Sequence, residues 1–132
     1  MMINIYYWNN GVGVVTDSII LKEILADFDV VVYDLSKNNQ YRKSDLGIFI
    51  QNVWLDCLNY KKKNIYIINE EWLNAEEISY IRYFDLLIVK SNHAKQLLNA
   101  HHSNIVNTGF FSLSKHQKEI NSNGNILHFK GK

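Results

Sequence analysis

A chain of 132 residues has room for one domain, and a content of 47% hydrophobic and 13% aromatic residues is enough for a core, which excludes a disordered segment. Lys plus Arg total 14 against 13 Asp plus Glu, without a basic arm or an acidic tail, so a charge-held nucleic-acid binder is excluded as well. Cys57 is the single cysteine, which rules out an internal disulfide; with no apolar run near the roughly 20 residues of a membrane span and no basic-then-apolar leader, the expectation is a soluble, cytoplasmic domain in which Cys57 fills a small buried space.

An apolar strand over residues 3–8 opens the chain, followed by Asn9, Asn10, Gly11, Val12 and Gly13 and then a helix over 14–28. Strand, glycine turn and helix start in that order set unpaired backbone N–H groups where a phosphate or another anion can sit. Gly11 and Gly13 carry two readings, a close backbone approach to such an anion or a tight turn that needs positive φ. In the helix, Val15, Ile19, Ile20, Ile24, Leu25 and Phe28 recur at helical spacing, which assigns them to the buried side and Asp17, Lys22, Glu23 and Asp27 to the solvent side. The runs 29–34 and 46–50 are continuously apolar and suit strands covered on both faces of a parallel sheet. Residues 36–44, polar and without a period, form a surface loop between them. Residues 53–60 suit a short helix ending at Lys61, Lys62 and Lys63, where solvated cations complement the helix dipole.

The strand 64–68 comes next, and then a polar loop from Asn69 to Leu73. Asn74 with Glu77 three residues on makes a capping box that starts a helix through Tyr83. Residues 86–89 form a short buried strand, Ser91 caps a helix carrying Ala94, Leu97 and Leu98, and 104–107 is the next strand. Residues 112–124 are weakly patterned and linker-like, and 125–132 begin as a strand. Strands alternating with helices imply βαβ units with right-handed crossovers. The fold class is α/β, a Rossmann-like doubly wound, mainly parallel sheet with helices on both faces, over residues 1–124. Ligands of such sheets bind outside the carboxyl ends of the strands, which singles out residues 9–13, Gln51 and Asn52, 69–72, 90–92, Gly109 and Phe110.

Within these loops Glu70 and Glu71 are carboxylates fit to bond ligand hydroxyls or act as a base, or else ordinary residues of a solvated first turn. Trp72 stacks on a ligand ring or packs as core, and Asn52 and Asn69 are candidate hydroxyl partners. Asp34 ends the second strand where a ribose-binding acid would sit, although the glycine turn lacks its third glycine. His93 falls at a helix start, and the adjacent His101 and His102 lack metal-pair spacing and suit the surface. No nucleophile elbow and no metal motif occur.

Taken together, Ile68-Asn69-Glu70-Glu71-Trp72, the run from Tyr83 to Ser91 and the turn Asn10-Gly11-Val12-Gly13 resemble the N-terminal, acceptor-side half of a GT-B glycosyltransferase. The tail 126–132 is similar to the strand and Gly-Lys loop that open the second half of such enzymes, so 125–132 would be a linker or the start of a donor-binding domain. The resemblance implies transfer of a sugar from a nucleotide-sugar to an acceptor hydroxyl in a cleft between two halves, with no bound metal and no resident cofactor, and no turnover by this half alone. Under it Gly11 and Gly13 border the donor diphosphate, and Glu70 is the catalytic carboxylate. Asn10, Asn52, Asn69, Trp72 and Ser91 line the acceptor or sugar pocket. Many members carry a histidine in this half, whereas the first histidine here is His93, after the early loops. The rival reading is a stand-alone, non-catalytic Rossmann-like binding or regulatory module that uses the same loops for a small anion or a protein.

Overall fold

Six short runs rich in β-branched and aromatic residues pair into one sheet, and the computed structural model describes residues 1–9, 13–37, 39–58, 62–69 and 73–109. The strands are β1 (Met2–Tyr7), β2 (Asp29–Asp34), β3 (Leu46–Ile50), β4 (Lys63–Ile67), β5 (Leu86–Val89) and β6 (Ile105–Asn107). Their order is β2-β1-β3-β4-β5-β6, and every neighbouring pair is parallel. Three helices accompany them: α1 (Val14–Ile24), α2 (Ala75–Tyr80) and α3 (Asn92–Leu98). The expected α/β, Rossmann-like doubly wound sheet is therefore the fold, with few and short helices.

Strand order decides where the connections lie. The chain steps from β1 to β2 in one direction, then returns across β1 to β3 and continues the other way, so right-handed crossovers fall on opposite faces on the two sides of β1. Side-chain alternation records the same division. Ile3, Ile5, Ile48, Ile50 and Ile67 point to one face and pack with Val14, Leu21 and Leu25 of α1. Tyr6, Phe49, Tyr66, Leu87 and Val89 point to the other and pack with Ile81, Phe84, Ala94 and Leu98 around α2 and α3. All carboxyl ends of the strands share one rim, and the doubling point of the winding lies between β1 and β3.

Several expectations need correction. The strand 29–34 is an edge strand with mostly half-buried side chains, not one covered on both faces. Residues 53–60 give only a three-residue 3-10 turn, Leu55–Cys57, after which 59–61 lie outside the described residues. Lys62 and Lys63 therefore do not close a helix; they pair on the surface with Asp45 at 3.7 Å and Asp85 at 3.6 Å. The link 36–44 is more than a surface loop: Tyr41 packs on the aromatic core beside Tyr6 and Tyr33, taking the place of a crossover helix. On α1 the buried side includes Asp17 and Ser18, while Ile19 and Ile24 are 55% and 67% exposed. Six apolar residues spread over α1 define no single stripe, and contact through Val14, Leu21 and Leu25 turns Asp17 inward.

Other local expectations hold. Asn74 caps α2 by accepting from the Glu77 N–H at 2.8 Å, and the Glu77 carboxylate takes the Asn74 N–H in return, so the capping box is reciprocal. Cys57 is buried at 5% exposure, and desolvation, with the Asp56 charge second, pushes its thiol up to about 12, as suits an inert filler. His102, expected at the surface, is instead half-buried: its Nε2 meets the Phe84 carbonyl at 2.7 Å and its Nδ1 accepts from the Asn104 N–H at 2.9 Å. Because a carbonyl only accepts, Nε2 carries the ring proton and the side chain ties the end of α3 to β5. No described helix is long and apolar enough to cross a membrane.

Candidate functional site at the carboxyl rim

The segments just beyond the strand ends build the rim. After β1 come Trp8 and Asn9, and Gly13 is the N-cap of α1. Gly13 has φ −32°, and among the described residues a Cβ built on it would meet nothing within 4 Å. It therefore serves no left-handed turn, and no described residue crowds its Cα, which is the condition for close backbone approach by a ligand. Gly109, after β6, is the glycine that conformation requires, at φ +64°.

After β3 the chain turns sharply. Gln51 has φ +67°, and the Asn52 N–H donates to the Ile50 carbonyl at 2.7 Å, so Gln51 is the centre of a γ-turn of the rare, strained hand. Two bonds hold it: the Gln51 N–H donates to Ile67 O at 2.8 Å, and the Tyr66 hydroxyl lies 2.8 Å from the Gln51 carbonyl oxygen. This turn swings Trp54 back toward β1, where its indole stacks on Trp8 with ring centroids 5.6 Å apart and 26° between planes. Both indoles stay open to solvent, at 39% and 40% exposure.

The Tyr66 hydroxyl has two acceptors in reach, Gln51 O and Glu77 Oε2 at 2.7 Å, but only one proton. A protonated Glu77 resolves the conflict by donating to Tyr66 while Tyr66 donates to Gln51. Desolvation raises the Glu77 carboxyl above its ordinary range, with the bonds from Tyr66 and Asn74 offsetting part of that rise. A raised folded-state pKa means that the stabilisation is complete below about 4.5 and is lost as pH climbs through the folded value. Glu77→Gln supplies a permanent donor to Tyr66 and keeps an acceptor for the Asn74 N–H. Its stability profile, measured by urea unfolding at a series of pH values, is expected to lack the decline above pH ~4.5 and to exceed the parent by about 1 kcal/mol at pH 7.

Two further carboxylates sit at this rim. Asp34, at the end of β2, accepts from the Ser36 N–H at 2.9 Å and the Ser36 hydroxyl at 2.6 Å. Partial burial pushes its carboxyl up, but these bonds and those from Asn9 outweigh it and hold Asp34 below the ordinary range. Asp17 is 5% exposed, and its Oδ1 has no hydrogen-bond partner among the described residues. Burial raises its pKa, and the charge of Lys90, next in the chain after β5, offsets part of the rise.

Asn52, Asn69 and Ser91 come after β3, β4 and β5 and so line the same rim as Gly13. With strands about 4.8 Å apart, Asn69 lies one strand from the β3 turn and Ser91 two. The Ser91 hydroxyl accepts from the Ala94 N–H at 3.0 Å and acts as the N-cap of α3, as its position predicts. Asn10, Gly11, Glu70 and Trp72 lie outside the described residues. The features that sequence reasoning passed over are Trp8, Trp54, the left-handed Gln51 and the buried Asp17. Only an aromatic just beyond each of two strand ends hinted at the first pair, and that hint has meaning only once β1 and β3 are known to be neighbours.

A shallow depression between Ile78, Arg82, Tyr83 and His101 opens toward the amino edge of the sheet, away from this rim. Among the described residues no group of three or more His, Cys, Asp or Glu side chains could hold a metal ion. Comparison of the chain with protein-family models, with curated proteins and with solved structures finds no match in any of the three.

Proposed function

We propose that this chain is the acceptor-binding half of a glycosyltransferase that moves a sugar from a nucleotide-sugar to an acceptor hydroxyl. One observation carries the reading furthest: Gly13, whose Cα no described residue crowds, lies at the head of α1 on the same carboxyl rim as Asn52, Asn69 and Ser91. An all-parallel doubly wound sheet binds its ligands along that rim. Backbone N–H groups at the head of α1 suit a diphosphate, and amide side chains farther along suit hydroxyls, each of which donates and accepts.

In the transfer the acceptor oxygen attacks the anomeric carbon, the bond from that carbon to the diphosphate oxygen breaks, and its electron pair leaves on the diphosphate. The acceptor proton passes to a carboxylate, for which Glu70, immediately after Asn69, is the candidate. A second, donor-binding domain completes the cleft and grips the nucleotide. The test compares sugar transfer from labelled UDP-sugars by the 132-residue chain alone and by the chain joined to a donor-binding domain, with Glu70→Gln in the joined form. Transfer is expected only from the joined form, reduced roughly 100-fold or more by Glu70→Gln. Equal turnover by the short chain, or none by either form, would defeat the reading.

A further inference from the structure

We propose that the stacked Trp8–Trp54 pair is the platform on which the neutral sugar ring of the acceptor lies, an inference that rests on reading the carboxyl rim as sugar-handling. The pair bridges the ends of β1 and β3, the two strands that flank the point where the winding doubles back. Large aromatics on the neighbouring sheet positions are fully withdrawn from water, with Tyr6, Phe49 and Tyr66 at 1% exposure or less, whereas Trp8 and Trp54 remain at 39% and 40%. Stacking on each other occupies one face of each indole and leaves edges and outer faces for a third ring.

The surroundings define the chemistry of that ring. Residues 8–13 and 51–55 contain no charged side chain; in the link that carries Trp54, the charged residues Asp56, Lys61 and Lys62 come only after them, so the segments that bear the indoles offer no counter-charge of their own. They do contain Asn9, Gln51 and Asn52, amides that both donate and accept, as hydroxyls around a pyranose require. Asp34, bonded by Ser36 and Asn9 at the end of the adjoining strand, adds a carboxylate acceptor. A sugar ring presents an apolar C–H face to an indole and a polar perimeter to these groups. Two tryptophans each about two-fifths exposed present an area on the scale of one sugar ring, well under the ~1,000 Å² of a protein interface. The Gln51 γ-turn, clamped by Tyr66 and Ile67, fixes Trp54 before ligand arrives, so little ordering is left to binding.

The test tracks the indole N–H signals of the intact chain by NMR, assigned with single Trp→Phe variants, during titration with maltose, cellobiose and N,N′-diacetylchitobiose and, separately, with UDP. At least one neutral disaccharide is expected to shift the Trp8 and Trp54 signals with a saturating midpoint in the millimolar range. Trp8→Ala and Trp54→Ala, checked for native circular dichroism, are expected to weaken that binding by roughly tenfold or more. No saturating shift up to about 100 mM of any of the three, at which binding of even a few kcal/mol would register, overturns the proposal. So does a response to UDP alone, or one that tracks protein concentration and therefore reports self-association. Even where an alanine variant unfolds, the titration of the intact chain decides. Transfer by the joined form without disaccharide binding at the indoles removes the platform and leaves the transferase reading; binding at the indoles without transfer does the reverse.

Discussion

Phe49→Ala is expected to cost about 3–5 kcal/mol of folding stability, a large part of the roughly 5–15 kcal/mol that holds a domain of this size together. Phe49 is 0% exposed and lies next to the last residue of β3, in register with Tyr6 on β1 and Tyr66 on β4. Its ring stacks on Tyr6 at 4.7 Å and meets the edge of Phe84 at 5.6 Å, so it links the aromatic cluster under the β2–β3 crossover to the one under α2. Truncation removes both contacts and leaves a cavity between β-strands, which cannot close without breaking the ladder. Urea unfolding should show a midpoint lower by about 2 M with an unchanged slope, and Phe49→Leu should cost only about 1–2 kcal/mol because most of the volume is kept. A loss below about 1 kcal/mol for the alanine variant would mean that the two clusters do not share one packed core.

The strands were legible because their chemistry is local. Runs such as Ile48, Phe49 and Ile50 or Ile65, Tyr66 and Ile67 belong in a sheet wherever the chain places them, and parallel alternation with helices is then a matter of connectivity. The capping residues Asn74 and Ser91 were legible for the same reason, since a cap depends on three or four residues. What failed depends on the fold. Residues 53–60 have helix-like apolar spacing, but the chain enters them from the Gln51 γ-turn with Trp54 extended, and the described part forms a single 3-10 turn. The inward side of α1 is chosen by the sheet beneath it, so Asp17 is buried although its sequence neighbours suggest the solvent side. The Trp8–Trp54 contact joins residues 46 positions apart on strands that are adjacent only because β3 returns past β1, and no local pattern encodes that return.

The carboxyl rim inherits its stiffness from the polar groups buried beneath it. Gln51 is held left-handed through Tyr66, Tyr66 is bonded to Glu77, and Glu77 closes the cap of α2. A buried hydrogen-bond chain therefore connects the loop carrying Trp54 to a helix start beyond β4. Strain of this kind persists only where surrounding contacts over-determine it, and those contacts are polar, buried and complete once Glu77 holds a proton.

Arg42→Ala is the second large effect, expected at about 2–4 kcal/mol, and its source is a buried amide, not an ion pair. Asn4 on β1 is 0% exposed, yet its side chain is fully bonded: Nδ2 donates to the Tyr6 hydroxyl at 2.9 Å and to the Arg42 carbonyl at 2.8 Å, while Oδ1 accepts from Arg42 Nε at 2.9 Å. The same guanidinium donates to the Ile3 carbonyl at 3.1 Å and the Asp29 carbonyl at 2.8 Å, fastening the edge strand β2 to β1 where no helix covers the β2–β3 crossover. Removing it strands the Asn4 oxygen and deprives the partly buried Ile3 carbonyl of a donor, while the exposed Asp29 carbonyl turns to water. The Asp29 carboxylate, bonded to Nη1 at 3.0 Å, is 61% exposed in its side chain and adds little, so Asp29→Asn should cost under about 1 kcal/mol. Lysine offers no fork, so Arg42→Lys is expected to recover less than about half of the loss. The deciding measurement is a double-mutant cycle between Asn4→Ala and Arg42→Ala by urea unfolding at low and high salt. A coupling of about 1–2 kcal/mol that survives high salt identifies the buried amide as the cause, whereas a coupling near zero, or one that salt removes, would assign the effect to surface charge instead.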